Sequence, residues 1–537
     1  MSYDIAIVGG RVFDGTGNPW FREDIAIKGE RIAELGKVDT EEAEKVIDAS
    51  GLIITPGFID MHSHSEFTLL VNGRAESKIR QGVTTEVNGN CGFSSAPMGE
   101  KMRDYLLTEA FQGEIMRKAN LDLDWRTMEE YLNKIEEQGI ALNEAVLAGY
   151  GNLRISVMGF EDRPANSDEV DQMKSLLDQC IQDGAVGMST GLTYPPQLFS
   201  TTKELVELAK VTAQHGRIYA THMRGGGKGL EEAIEISRKA NVPVEVSHCR
   251  SETAYKILDN ARAEMVRITT DFYSYTAGCG PLTPLLPPWT LSGGMEKMAE
   301  RLSDPGIRPR IKEEMMSEEA TGIMKGVRED FDRILIALSH AHPEYEGLTV
   351  PEIAEKTGKE ALDVILDFLM EDKNRVYMIV GPRREEDPAT ERAEEGILAA
   401  VRSPYASFGS DGTAIAPYGV LSSMKHMHPR YYGAAVRLIK RYVIERKLIS
   451  IQEAVRKLTY LPARILGLVD RGLIKGGMYA DIVVINEKKL ADKAVWKTPY
   501  LYPSGVDCVI VNGKIVIEKG EHTGRLPGKA LRSYNPI

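Results

Sequence analysis

Gly57-Phe58-Ile59-Asp60-Met61-His62-Ser63-His64 follows the apolar run Leu52-Ile53-Ile54 and the break at Thr55-Pro56. A buried strand that runs out into His-x-His sets two imidazoles on one side of the chain, because strand side chains alternate with period two. Taken alone, such a pair is as often two ordinary histidines as a ligand set. Four later segments end in the same way, and they change the reading. Thr84 to Gly92 closes an apolar strand with Cys91, and Ile218 to His222 closes another with His222. Val244 to His248 ends in His248, and Ala406 to Gly412 carries Asp411. Six residues of metal-binding type at five strand ends are hard to explain as packing. Cysteine thiolate and imidazole nitrogen are good zinc donors, and a catalytic zinc keeps one position open for water. The other histidines read as structural. His215 lies at a helix end, His340 and His342 in a polar segment after Ile334 to Leu338, and His522 near the C-terminus.

Outward from these strand ends, the body of the chain alternates strands with helices. The best-marked helix spans about 168–183. Asn166 and Ser167 cap its start, Asp168 and Glu169 suit the positive end of its dipole, and Gly184 ends it. Val170, Met173, Leu176, Leu177, Cys180 and Ile181 form its apolar face, which makes Cys180 a core residue. Eight strands are expected, ending near His64, Cys91, Asn152, Gly191, Arg224, Arg250, Tyr275 and Asp411. Alternation of this length implies a parallel sheet, and eight strands favour a closed (β/α)8 TIM-like barrel, whose function collects at the C-terminal strand ends.

Both chain ends have a different texture. Short apolar runs punctuated by Gly and Asp-Gly fill 1–55, and Asn512-Gly513 joins two apolar runs near the C-terminus as in a hairpin. The two ends, 1–55 and 468–537, are expected to pair into one small β-domain, with the barrel (56–467) between them. Gly9-Gly10 lacks the third glycine and following helix of a dinucleotide site. The segment 281–400 is long for one barrel connection and reads as an insertion or a lid over the site.

The 537 residues suit a large barrel with an appendage. Net charge is −12, from 66 basic and 78 acidic residues, which argues against a nucleic-acid or anionic-membrane binder. Five scattered cysteines do not make a secreted disulfide framework. The N-terminus has no basic-then-apolar leader, and no apolar run approaches a membrane span. The expected location is the cytoplasm, and a homo-oligomer is left open.

Several specific strings together resemble the N-acyl-D-amino-acid deacylases (D-aminoacylases) of the amidohydrolase superfamily, almost end to end. They are Gly57 to His64, Gly82 to Thr85 with Gly89-Asn90-Cys91-Gly92, and Gly187 to Leu192 with Tyr194 and Pro196. Ser247-His248, Asp271-x-Tyr273-x-Tyr275-x-Ala277-Gly278, Gly409 to Gly412 and His428-Pro429-Arg430 followed by Gly433 continue the match. So do Ala454 to Thr459, Pro462-Ala463 and Ala480-Asp481.

The resemblance implies that the appendage is a β-sandwich. It implies one tight Zn2+ on Cys91, His222 and His248, and a second, weaker position facing His62, His64 and Asp411. The fourth strand, Gly184 to Thr190, offers no lysine to bridge two metals, so Cys91 takes that place. Arg430 matches the family's carboxylate-binding arginine, whose guanidinium grips a carboxylate with two hydrogen bonds. Arg250 matches a position that is often lysine, and Tyr194 and Tyr273 match substrate-contacting tyrosines.

The expected reaction is zinc-dependent hydrolysis of a small N-acyl-D-amino acid. Zinc polarises the carbonyl, and Asp411 takes a proton from the attacking water and returns it to the leaving amine. The alternative is a cyclic amide or imide, or a D-residue peptide. Tyr150 (usually histidine in the family), Ser274 (usually proline) and Cys279 (commonly a small hydroxyl residue) depart from the pattern, and all three are expected on the substrate side. No His-x-x-Glu follows the fifth strand, which disfavours a deaminase.

Overall fold

The computed structural model describes residues 2–320, 322–373, 375–383 and 387–532. Eight parallel strands surround one interior: Phe58–Asp60, Val83–Asn88, Asn143–Val146, Gly187–Gly191, Ile218–His222, Val244–Val246, Ile268–Phe272 and Ala406–Phe408. Neighbours pair in parallel register, for example Glu86 with Glu144, Thr190 with Thr221 and Phe272 with Phe408. Val186 N–H donates to Val146 O (2.8 Å), joining the third strand to the fourth. Met61 N–H donates to Phe408 O (3.0 Å) and Asp411 N–H to His62 O (2.8 Å), so the eighth strand meets the first and the ring closes.

Helices cover the outside. Ser167–Gln182 starts as its sequence demands: Asn166 Oδ1 accepts from Glu169 N–H (3.0 Å), and Glu169 Oε2 accepts from Asn166 N–H (2.8 Å). This capping box is worth about 1 kcal/mol. Met173, Leu177, Cys180 and Ile181 are its buried face, with Cys180 in the core as expected.

One strand end differs from its expectation. The third strand stops at Val146, with a short continuation at Ala148–Gly149, and Asn152 lies inside the helix Tyr150–Met158. A Cβ on Gly151 would meet Gly92 O at 2.6 Å, so glycine lets this helix start against the loop after Cys91. Asn152 then serves as a brace, donating to Ser94 O (2.8 Å) and accepting from Ser94 N–H (2.9 Å).

The chain ends build two facing sheets. One runs Arg31–Gly36, Asp24–Lys28, Tyr3–Val8, Ala43–Asp48; the other runs Arg11–Val12, Ile53–Pro56, Ile482–Ile485, Val506–Val511, Lys514–Glu518, Glu521–His522. Ile54 opposite Val484 ties the N-terminal part to the C-terminal part. Ile5, Ile27, Ile54, Val484 and Ile510 share one core between the sheets. Each fully buried aliphatic side chain of this kind contributes about 1.5–3 kcal/mol. Asn512 and Gly513 both have positive φ (46° and 72°), as the tight hairpin turn between Val511 and Lys514 requires. The last described residues leave this sandwich: Leu531 N–H donates to Glu144 O (2.6 Å), so the tail packs on the third barrel strand.

Between the seventh and eighth barrel strands stands an inserted unit. Gly278–Pro281, Val376–Val380 and Ile334–Ser339 form an antiparallel sheet, and helices such as Met295–Ser303 and Ala361–Asp372 pack on it. Leu285, Met298, Ile311, Val350, Ile365 and Phe368 belong to a core of its own.

Candidate active site

The six strand-end residues of metal-binding type, His62, His64, Cys91, His222, His248 and Asp411, come together at the C-terminal mouth of the barrel. His62 is fully buried, and its Nε2 lies 3.4 Å from Cys91 Sγ. Cys91 Sγ lies 3.6 Å from His222 Nδ1, which lies 2.9 Å from His248 Nε2. His64 Nε2 is 3.3 Å from Asp411 Oδ1, and His62 Nε2 is 3.7 Å from the same oxygen. Two groups of donor atoms result, His62/His64/Cys91 and Cys91/His222/His248, each lying within 4.8 Å, and Cys91 belongs to both.

The backbone is bent to achieve this. Cys91 (φ 54°), His248 (φ 38°) and Asp411 (φ 50°) all stand in the left-handed region, where a side chain is unfavourable. Such outliers persist only where surrounding bonds over-determine them, and they gather at functional sites.

The donor set fits a metal ion. With ordinary Zn–S and Zn–N distances, a tetrahedral zinc holds sulfur and nitrogen ligands about 3.5 Å apart, close to the Cys91–His222 separation. Burial opposes a charged Cys91, but His62, His222 and His248 outweigh it and hold the thiol well below its ordinary range. The thiolate is the form that ligates. Burial likewise opposes a charged His64, yet Asp411 and Cys91 raise it to about 9.

A second layer orients these groups, and sequence reading missed its roles. Asp271 Oδ2 lies 3.1 Å from His62 Nδ1, while Asp271 Oδ1 accepts from His248 N–H (2.8 Å). One carboxylate thus aligns residues on the first and sixth strands, as metal-site supports commonly do. Asp271 opens the Asp271-x-Tyr273-x-Tyr275 string, but its partners are 209 and 23 positions away. Thr193 Oγ1 lies 3.0 Å from His222 Nε2. Below the site, fully buried Lys78 donates to Asp60 Oδ2 (2.8 Å), Ser63 Oγ (2.9 Å) and Ser410 Oγ (2.8 Å), and sits 3.2 Å from Glu86 Oε1. Its partners flank His62, His64 and Asp411. No local pattern marks Lys78 as an interior residue.

A cavity of about 390 Å³ opens from this cluster. Arg250, Arg430, Tyr194 and Tyr273 all line it, beside His64, Cys91, His222, His248 and Asp411. Arg430 Nη1 donates to Asp411 Oδ2 (2.8 Å), and its guanidinium lies over Tyr273, 4.8 Å from the ring centre. Arg250 stacks on the same ring at 3.9 Å and donates to the Tyr273 hydroxyl (2.6 Å) and to Tyr275 O. Of the three departures expected on the substrate side, only Cys279 lines the cavity. Tyr150 is buried against Glu204 and Arg154, a hydroxyl between a carboxylate and a guanidinium in the barrel wall. Ser274 turns away and donates to Ala434 O (3.0 Å). The inserted unit contributes Ile323, Tyr377, Met378 and Val380 to the cavity wall.

Residues 45–517 match the model of the amidohydrolase family. The chain belongs to that family. This makes it a metal-dependent hydrolase acting on amide bonds. The amidohydrolase is 30% identical to a D-aminoacylase from Alcaligenes xylosoxydans xylosoxydans over 98% of its own length and 97% of the relative's. It is equally similar to an N-acyl-D-glutamate deacylase from the same organism, over 98% and 96%. Among solved structures it resembles a D-aminoacylase described as having a binuclear metal centre with one-metal activation and second-metal attenuation (TM-score 0.80, 29% identity, 99% and 100% coverage). It also resembles the Bordetella bronchiseptica N-acyl-D-glutamate deacylase complexed with zinc and a phosphonate mimic of the tetrahedral intermediate (TM-score 0.79, 28% identity, 99% and 100% coverage). No described helix of this amidohydrolase is long and apolar enough to cross a membrane.

Proposed function

We propose that this amidohydrolase carries out zinc-dependent cleavage of N-acyl-D-amino acids, releasing a carboxylate and a free D-amino acid. The observation that carries the reading is the Asp411–Arg430 pair beside two donor groups that share Cys91, all facing one cavity. Cys91, His222 and His248 would hold the tighter ion, and His62, His64 and Asp411 would face the weaker position. When bound, the ion supplies Lewis acidity, polarising the amide carbonyl and acidifying water.

The chain's own residues do the rest. Burial works against an ionised Asp411, but Arg430, His64 and His62 keep it well below the usual carboxylate range, so it stands ready as a proton acceptor. Its Oδ1 accepts the proton of the attacking water and hands it to the amine nitrogen as the C–N bond breaks, because an amine leaves an amide only when protonated. Arg430 grips the substrate's α-carboxylate with Nη and Nε donors, and among the described residues the buried Nε has no partner of its own. Arg250, locked over Tyr273, keeps that ring and its hydroxyl in the cavity wall. Tyr194 packs 5.0 Å from the His222 ring and closes the other side.

The test is amine release from matched N-acetyl-D- and N-acetyl-L-amino acids by zinc-loaded protein. Turnover confined to the D series supports the proposal. Zinc-loaded protein that turns over neither series, but opens a cyclic amide or imide, overturns it.

A further inference from the structure

The substrate cavity is electrically lopsided. Its arginines are Arg430, paired with Asp411, and Arg250, which is bound to Tyr273 and Tyr275. Beyond them the wall carries Glu109, on the turn between the helices Glu100–Thr108 and Gln112–Ala119. Glu109 Oε2 accepts from the backbone N–H of Gln112 (2.5 Å) and Gly113 (3.3 Å), which fixes the carboxyl at the start of the second helix. Among the described residues Glu109 forms no ion pair. Capping explains one oxygen of this carboxyl and leaves its place in the cavity wall unexplained. Burial lifts it above the ordinary carboxyl range, and a cation against it would reverse that.

Between Arg430 and Glu109 the wall is aromatic. The Phe111 ring lies nearly parallel to Tyr431 (6.0 Å, 9°) and 6.2 Å from Tyr377. The Arg430 guanidinium stands 5.8 Å from the centre of the Tyr431 ring, so the aromatic run begins beside that charge. Gln112, next along from Phe111, donates from Nε2 to His64 O (3.0 Å), so this wall is tied directly to the strand end that carries the site. A guanidinium for one carboxylate, then aromatic faces, then an unpaired carboxylate is the inverse image of an amino acid with a cationic side chain. Aromatic faces attract cations, and a desolvated carboxylate adds a charge-assisted hydrogen bond. A side-chain carboxylate would meet repulsion in the same place, with no further arginine or lysine among the described residues of the cavity wall to receive it.

We infer that Glu109 is a specificity-determining residue and that the preferred substrates are N-acyl-D-amino acids with cationic side chains, D-lysine and D-arginine. This rests on the proposed deacylase reading and narrows it.

The experiment compares kcat/KM of zinc-loaded protein for N-acetyl-D-lysine, -D-arginine, -D-methionine, -D-phenylalanine and -D-glutamate, with and without Glu109→Gln. Glutamine keeps a carbonyl oxygen for the Gln112 and Gly113 amides, and a thermal melt checks that the fold is intact. The cationic substrates should exceed the neutral ones at least tenfold and the glutamate at least a hundredfold. Glu109→Gln should lower the lysine-to-methionine ratio at least tenfold, chiefly through KM. A neutral side chain outranking both cationic ones, or a ratio changed less than twofold by Glu109→Gln, overturns the inference and leaves the deacylase reading standing. Turnover of none of the D substrates overturns both.

Discussion

Arg430 and Asp411 form an ion pair across 2.8 Å, and the other Asp411 oxygen stands 3.3 Å from His64 Nε2. The proposed proton acceptor is therefore held between the proposed substrate-binding arginine and the first-strand histidine. Replacing Arg430 with alanine should cut kcat/KM by about a hundredfold or more, the scale of losing a charge-assisted bond of about 3 kcal/mol. Arg430 helps keep Asp411 ionised, so its loss raises the Asp411 pKa and moves the acid limb of kcat/KM to higher pH. An acid limb that stays in place would show that Arg430 does not tune Asp411.

Asp411→Asn keeps the shape of the side chain and removes its basicity. Turnover should fall about a thousandfold, within the range for general acid–base groups, while the tighter ion, measured by elemental analysis, stays bound. Retention of more than a tenth of the activity with metal in place would rule out Asp411 as proton carrier.

The shared position of Cys91 gives an ordered expectation for metal loss. Chelation should abolish activity and added zinc restore it. Cys91→Ser should empty both groups, whereas His62→Ala should release only the weaker ion. Equal metal loss in the two variants would contradict the assignment of Cys91, His222 and His248 as the tighter set.

Lys78 is the buried counter-charge of Asp60 and Glu86. Lys78→Met leaves Asp60 and Glu86 buried without it, a situation that costs about 3–5 kcal/mol. Pairing it with Asp60→Asn should recover part of that loss in denaturant melts. A single variant as stable as wild type would mean that the buried network carries no net charge.

Glu144 gives the fold its own pH dependence. Burial raises its carboxyl from 4.5 to about 8, against hydrogen bonds from Asn88 and Tyr131. Below about pH 4.5 the group is protonated in both folded and unfolded chains. Between there and pH 8 the folded chain holds the extra proton, so stability should fall as pH rises through that window. Thermal melts from pH 5 to 8.5 should show this slope reduced in Glu144→Gln. An unchanged slope would place the proton on another group, with Glu245, also raised to about 8, the next to test.

Much of the site was legible because its chemistry is written at strand ends. A strand that stops at His222, or that runs out to Cys91 or Asp411, announces itself by apolar periodicity followed by a residue foreign to a core. The same logic overshot at Asn152, because Gly149-Tyr150-Gly151 starts a helix through a close approach to Gly92 that only the fold reveals. As departures from the family pattern, Tyr150 and Ser274 point to the substrate side by sequence position alone. Their side chains face Glu204 and Ala434 because strand and helix rotation, not sequence proximity, sets direction.

By itself the sequence determined the eight-strand barrel, the small β-domain drawn from both ends, and the six residues of metal-binding type. Each of these depends on local periodicity or residue chemistry, which a chain displays without being folded. Tertiary structure alone decided the rest: that Cys91 belongs to both donor groups, that Asp271 braces His62 and His248, that Lys78 pairs with Asp60 and Glu86, and that Glu109 shares a cavity with Arg430. Those relationships join residues far apart in the chain, and they come into being only when the barrel closes and the inserted unit packs across its mouth.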